Sequence, residues 1–130
     1  MPLINIHVIK DQRSPSELRK LADTIHQCIL KDFNAPPGDR YQVITQHQPE
    51  ELIIEDTGLG IPRTNNIVLL QIFQQGRDTK DKQRLFAALA EQLKSQCGLE
   101  GSDLVVTLMA NSKADWSFGY GKAQFLTGQL

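Results

Sequence analysis

The apolar positions of this chain change period as it runs, and the changes come twice. Residues Leu3–Ile9 are apolar and partly alternating, the pattern of a strand with one buried face. Ser14-Pro15-Ser16-Glu17 follows, with a serine at the N-cap, proline at the first helical position and glutamate at the third. This is a capping box, and it predicts a helix start. Leu18, Leu21, Ala22, Ile25, Ile29 and Phe33 then recur at helical spacing and form one apolar stripe. Ala35-Pro36-Pro37-Gly38 ends the helix, and residues 41–46 read as a returning strand. In the second half, residues 67–73 read as a strand and Asp78 as an N-cap, with Asp81 in the first turn at the positive end of the helix dipole. Leu85, Phe86, Leu89, Leu93 and Cys97 make the second stripe, Gly98 stops it, and residues 104–109 form the last strand.

An offset of 64 carries Ser14 onto Asp78, Leu21 onto Leu85, Ile25 onto Leu89, Ile29 onto Leu93, Phe33 onto Cys97 and Asp39 onto Asp103. Caps and stripes coincide although residue identity is poor. The chain therefore reads as one α+β domain, 1–130, built from a duplicated β-α-β unit with pseudo-repeats at about 2–48 and 66–110. Right-handed crossovers make each unit's strands parallel. The expected result is a four-stranded mixed sheet with two helices on one face. The other sheet face is left uncovered, and oligomerisation is the simplest way to bury it. Trp116-Ser117-Phe118-Gly119-Tyr120-Gly121 opens an aromatic, glycine-rich tail, and its glycine spacing predicts a C-terminal hairpin over 115–130.

Charge narrows the function. Fourteen Lys+Arg against fifteen Asp+Glu leave a net charge of −1, which argues against nucleic-acid and membrane surfaces. No apolar run reaches the roughly 20 residues of a membrane span. Two cysteines are too few for a disulfide framework, and the three histidines are too dispersed to argue for a metal site. A cytoplasmic protein without a metal site is expected.

Three residues carry candidate chemistry. Met1-Pro2 opens the chain, and removal of Met1 would leave Pro2 with a secondary amine that no internal residue can supply. Asp39 stands just before the second strand, so parallel pairing brings it to the sheet end where Pro2 begins. It also suits a plain strand-entry turn. Arg77 follows the third strand and matches a carboxylate, though it also reads as a solvated loop cation.

Pro2, Pro36-Pro37-Gly38-Asp39-Arg40-Tyr41-Gln42, Gln46-His47, Glu55-Asp56-Thr57-Gly58-Leu59-Gly60, Asp115-Trp116-Ser117-Phe118-Gly119 and Phe125-Leu126-Thr127-Gly128 together resemble malonate semialdehyde decarboxylases of the tautomerase superfamily. The likeness runs in order along nearly the whole chain. It implies the tautomerase fold, a homotrimer, a small oxo-acid substrate and no cofactor. Pro2 becomes the catalytic amine, Asp39 its acidic partner and Arg77 the ligand of the substrate carboxylate. Trp116, Phe118, Phe125 and Leu130 become an apolar wall. Gln75 stands where the best-known decarboxylases carry a further arginine, and it offers a hydrogen bond without charge. The resemblance also gives His26 a possible substrate contact of the kind seen in dehalogenating relatives, whereas its place beside an apolar stripe reads as structural.

Decarboxylation of a 3-oxo acid drives electrons onto the carbonyl oxygen, so a protonated Pro2 serves it, whereas tautomerisation needs the neutral amine. An α-amino group has a pKa of about 7.7–8.0, which a nearby carboxylate raises and an arginine lowers. With one arginine instead of two, a mostly protonated Pro2 is expected. Three readings follow: a decarboxylase, a promiscuous tautomerase or hydratase of acetylenic or halogenated acids, and a trimeric interaction protein without turnover.

Overall fold

The computed structural model describes residues 2–130. Its main elements run β1 (Leu3–Ile9), α1 (Pro15–Asp32), β2 (Tyr41–His47), β3 (Val68–Gln75), α2 (Thr79–Cys97), β4 (Leu104–Asn111) and a short α3 (Gln124–Thr127). The capping box forms as the sequence predicts: the Glu17 backbone N–H donates to the Ser14 hydroxyl, and the Ser14 N–H donates to the Glu17 carboxylate. Asp78 likewise accepts from the Asp81 N–H at 2.7 Å. Gly98 closes α2 at φ 67°, a left-handed conformation that glycine adopts without a Cβ clash.

The sheet order is β2-β1-β3-β4, with β1 parallel to β2, β3 parallel to β4, and β1 antiparallel to β3. Two β-α-β units thus meet back to back across the central antiparallel pair. Ile4, Ile6 and Val8 of β1 and Val68, Leu70 and Ile72 of β3 point to one face. There they pack with Leu21, Ile25 and Ile29 of α1 and Leu85, Leu89 and Leu93 of α2. Each fully buried aliphatic side chain contributes about 1.5–3 kcal/mol over exposure, so this layer carries the fold.

The opposite face carries Leu3, Asn5 and His7 of β1 and Leu69, Gln71 and Phe73 of β3, all partly exposed. His7 bridges two strands here, Nε2 lying 3.0 Å from Gln71 Oε1 and Nδ1 lying 2.8 Å from His47 Nε2. Because Gln71 Oε1 only accepts, His7 Nε2 donates to it and Nδ1 accepts from His47. The edge strand β2 leaves Tyr41, Val43 and Ile44 exposed.

Two expectations need correction. Strands β3 and β4 each run two residues further than their apolar runs, to Gln75 and Asn111, because ladder bonds continue through polar residues. The tail is not a hairpin. A 3-10 turn at Lys113–Asp115 and the α3 helix replace it. Its glycines make turns, Gly119 at φ 147° and Gly121 at φ 66°, while Gln124 ties the turn down by accepting from the Phe118 N–H and donating to the Gly119 carbonyl.

Candidate functional site

Strand register assembles the site. Leu3 lies opposite Tyr41 on the parallel neighbour and opposite Phe73 on the antiparallel one. The first residues of β1 and β2 and the last residues of β3 therefore share one sheet end. Pro2 precedes Leu3 and is buried there. Asp39 is two residues before Tyr41, and Gln75, Gly76 and Arg77 leave β3 at the same end. The Met1 removal on which a free Pro2 amine depends lies outside the described residues.

Asp39 is only 5% exposed. Its N–H donates to the Pro36 carbonyl at 3.0 Å, which folds the Pro36-Pro37-Gly38 turn beneath it. Burial pushes the Asp39 carboxyl above the usual carboxylate range, and positive charge, His26 included, works against that shift. His26 is itself buried, hydrogen-bonded to the Pro37 backbone, and held below the ordinary imidazole range by desolvation and by Arg40. It backs the Asp39 turn from α1. Arg40, next in sequence, turns the other way and donates to Asp23 at 2.7 Å.

Arg77 packs on the end of α1. Its Cζ lies 4.9 Å from the centre of the Phe33 ring, and Nη2 donates to the Phe33 carbonyl at 3.2 Å. A guanidinium over an aromatic face and beside a helix C-terminus is attracted by both. Gln75 projects to the open sheet face, paired in register with Asn111.

Asn111 links the site to the tail, accepting from the Trp116 indole N–H at 3.0 Å. Trp116 and Phe118 stack at 5.3 Å and 13°, Phe118 meets Phe125 edge-on at 5.3 Å, and Tyr41 of β2 stacks on Phe118 at 5.8 Å. The tail thus crosses from β4 to β2 over the open face. Each ring pair contributes about 0.5–1.5 kcal/mol beyond burial. Leu130 is not brought into this cluster and stays 59% exposed beyond α3.

Sequence reasoning missed two residues. Tyr41 belongs to the aromatic wall, and its position opposite Leu3 was the available signal. Gln74 is 1% exposed, and among the described residues neither its amide oxygen nor its amide nitrogen has a hydrogen-bond partner. A buried amide left unpaired costs about 1–3 kcal/mol. A glutamine at an inward position of an alternating strand was the signal here.

Among the described residues no group of three or more His, Cys, Asp or Glu side chains is placed to hold a metal ion. Among the same residues no helix is long and apolar enough to cross a membrane.

Comparison with known proteins bears on the family and the fold. Two family models, both for tautomerase enzymes, match residues 39–119 and 2–61. The probable tautomerase YrdN of Bacillus subtilis (strain 168) is 45% identical over 130 residues, covering 100% of both chains. The probable tautomerase YusQ of the same organism is 34% identical over 127 residues, covering 97% of this chain and 99% of YusQ. A solved malonate semialdehyde decarboxylase superposes with a TM-score of 0.95 at 38% identity, over 98% of each chain. A second, FG41 malonate semialdehyde decarboxylase inhibited by 3-bromopropiolate, gives 0.93 at 41%, over 98% of this chain and 97% of that one. A fused 4-OT gives 0.77 at 18% identity, a likeness of fold. With its duplicated β-α-β sheet and these matches along its length, the chain belongs to the tautomerase family.

Proposed function

We propose that this protein decarboxylates malonate semialdehyde or a closely related 3-oxo acid, using the Pro2 amine and no cofactor. The observation that carries the proposal is the convergence of Pro2, Asp39 and Arg77 on one sheet end, in a chain that is 38% and 41% identical to two malonate semialdehyde decarboxylases.

In this reading Arg77 holds the substrate carboxylate, with Gln75 donating a hydrogen bond beside it. The protonated Pro2 nitrogen donates to the carbonyl oxygen. The C–C bond to the carboxylate breaks, its electron pair moves toward that oxygen, and CO2 leaves. Carbon then takes a proton and the aldehyde is released. Trp116, Phe118 and Phe125, with Tyr41 beside them, supply an apolar wall that favours a neutral product over a charged carboxylate. Asp39 stabilises the ammonium form of Pro2.

The working unit in this proposal is a homotrimer. The exposed apolar residues of β2 and the open sheet face support a partner surface, and a fused 4-OT of the same fold was solved as a symmetric trimer. Two free cysteines support a cytoplasmic setting. A second reading, enol–keto tautomerisation with a neutral Pro2, is favoured by the names of the curated relatives, both probable tautomerases.

A panel of 3-oxo acids and enols offered to wild type and Pro2→Ala separates these. The proposal expects CO2 and aldehyde from malonate semialdehyde, with the rate lost in Pro2→Ala. Equal rates in the two proteins overturn both readings. Faster Pro2-dependent turnover of enols than of 3-oxo acids selects the second.

A further inference from the structure

We propose that Gln74 is a positioning residue for the Pro2 amine, its amide oxygen accepting a hydrogen bond from the protonated nitrogen. The proposal rests on the reading of Pro2 as the reactive group and adds what orients and charges it.

Leu3 faces Phe73 across the antiparallel pair, so one step outward sets Pro2 against Gln74. Alternation sends both to the face that carries the helices, since Ile4 and Ile72 lie there, and both are buried. Cross-strand neighbours on one face have Cβ atoms about 4.5–5.5 Å apart, within reach of a glutamine side chain. Ala110, opposite Gln74 on β4, brings no polar side-chain atom. The amide is therefore buried with both polar ends unpaired among the described residues, at the sheet end where the candidate chemistry gathers.

Chemistry decides which end acts. A prolyl ammonium carries two N–H donors and no acceptor. Only the Gln74 oxygen serves it, and one N–H held by that oxygen leaves the other aimed at substrate. A hydrogen bond accepted from the charged form favours that form. The charged groups described at this sheet end include Asp39, with His26 behind it from α1, Arg40, which is paired with Asp23, Arg77 after β3, and Asp78, which caps α2. Gln74 adds an acceptor without another charge.

The test uses protein whose mass shows Met1 removed. In Gln74→Met, which keeps the volume and deletes the acceptor, the amine pKa followed by NMR of 15N-labelled proline falls by about one unit. With malonate semialdehyde, kcat at about pH 7.5 drops roughly threefold, KM holds, and lowering the pH restores the rate. An unmoved amine pKa overturns the proposal, whatever happens to stability. Should Gln74→Met fail to fold, Gln74→Glu supplies a charged acceptor and must raise the amine pKa; an unchanged or lower value overturns the proposal equally. The titration needs no substrate, so a wild type inert toward malonate semialdehyde defeats the proposed reaction and leaves this test standing.

Discussion

Arg77 lies over Phe33, Cζ 4.9 Å from the ring centre, while its Nη2 donates to the Phe33 carbonyl at 3.2 Å. The C-cap of α1 therefore fixes the guanidinium that leaves β3 at the Pro2 end. Lysine keeps the charge but loses the planar fork and the stacking. Arg77→Lys should raise KM for an oxo acid by about tenfold or more, because bidentate carboxylate binding is lost. Steady-state kinetics with the free acid check this. Its methyl ester, which has no carboxylate to hold or to lose as CO2, serves as a competitor, and its inhibition constant should differ little between the two proteins.

Asp39 should show its burial in the pH dependence of stability. Its carboxyl sits above the usual range in the folded protein, burial being the main cause. The folded state thus holds the Asp39 proton more tightly than the unfolded chain does. Ionising Asp39 subtracts stability, starting as pH rises past the ordinary carboxylate range and complete above the raised folded value. Asp39→Asn should gain thermal stability relative to wild type near pH 7, with a smaller gain near pH 4. It should also lower the Pro2 amine pKa and the decarboxylation rate together. Calorimetry at the two pH values and a pH–rate profile measure both effects.

The second half of the chain holds a counterpart of Asp39 that is sealed. Asp103, 64 residues on and 2% exposed, accepts from both the backbone N–H and the hydroxyl of Thr64. Arg13, the counterpart of Arg77 at the same offset, donates to the Asn66 carbonyl at 2.8 Å. Thr64→Val removes one of the two Asp103 partners and should cost about 1–3 kcal/mol. Denaturant unfolding should show that loss with kcat unchanged. A fall in turnover that exceeds the loss of folded protein would tie this sheet end to the reaction.

The aromatic wall offers an optical readout, since Trp116 is the only tryptophan of the chain. It stacks on Phe118 and its indole N–H is held by Asn111. A bound 3-oxo acid analogue should change its fluorescence, and Arg77→Lys should shift that titration to higher ligand concentration. An unaltered spectrum at concentrations that inhibit turnover would remove the tail from the site.

How much of this was legible in the sequence follows from what each element depends on. The helices were readable because Ser14, Glu17, Asp78 and Gly98 act within a turn of themselves, and their apolar stripes need only periodicity. The approach of Asp39 to the Pro2 end was readable from parallel pairing within the first repeat, whereas Arg77 reaches that end through the antiparallel β1–β3 pairing and was joined to the site only by the resemblance. The ends of β3 and β4 were not readable, because Gln74, Gln75 and Asn111 extend the strands, with Ala110 between Met109 and Asn111, by backbone bonding that polar side chains hide. Stopping the third strand at Phe73 is also what concealed Gln74. The tail was misread because Gly119 and Gly121 fit a hairpin as well as the turns they make, and only the Gln124 side chain, bonding to residues five and six positions back, decides between them. Tyr41 was missed as part of the wall since its ring partners lie 75 and 77 residues away in sequence.

The account stands on the charge state of Pro2. Titrating the 15N-labelled Pro2 amine in protein of verified mass measures it directly. The account predicts a pKa at or above the ordinary α-amino range of about 7.7–8.0, leaving the nitrogen mostly protonated at neutral pH. A value below about 6.5 would make Pro2 a neutral base under working conditions and contradict decarboxylation by a protonated amine.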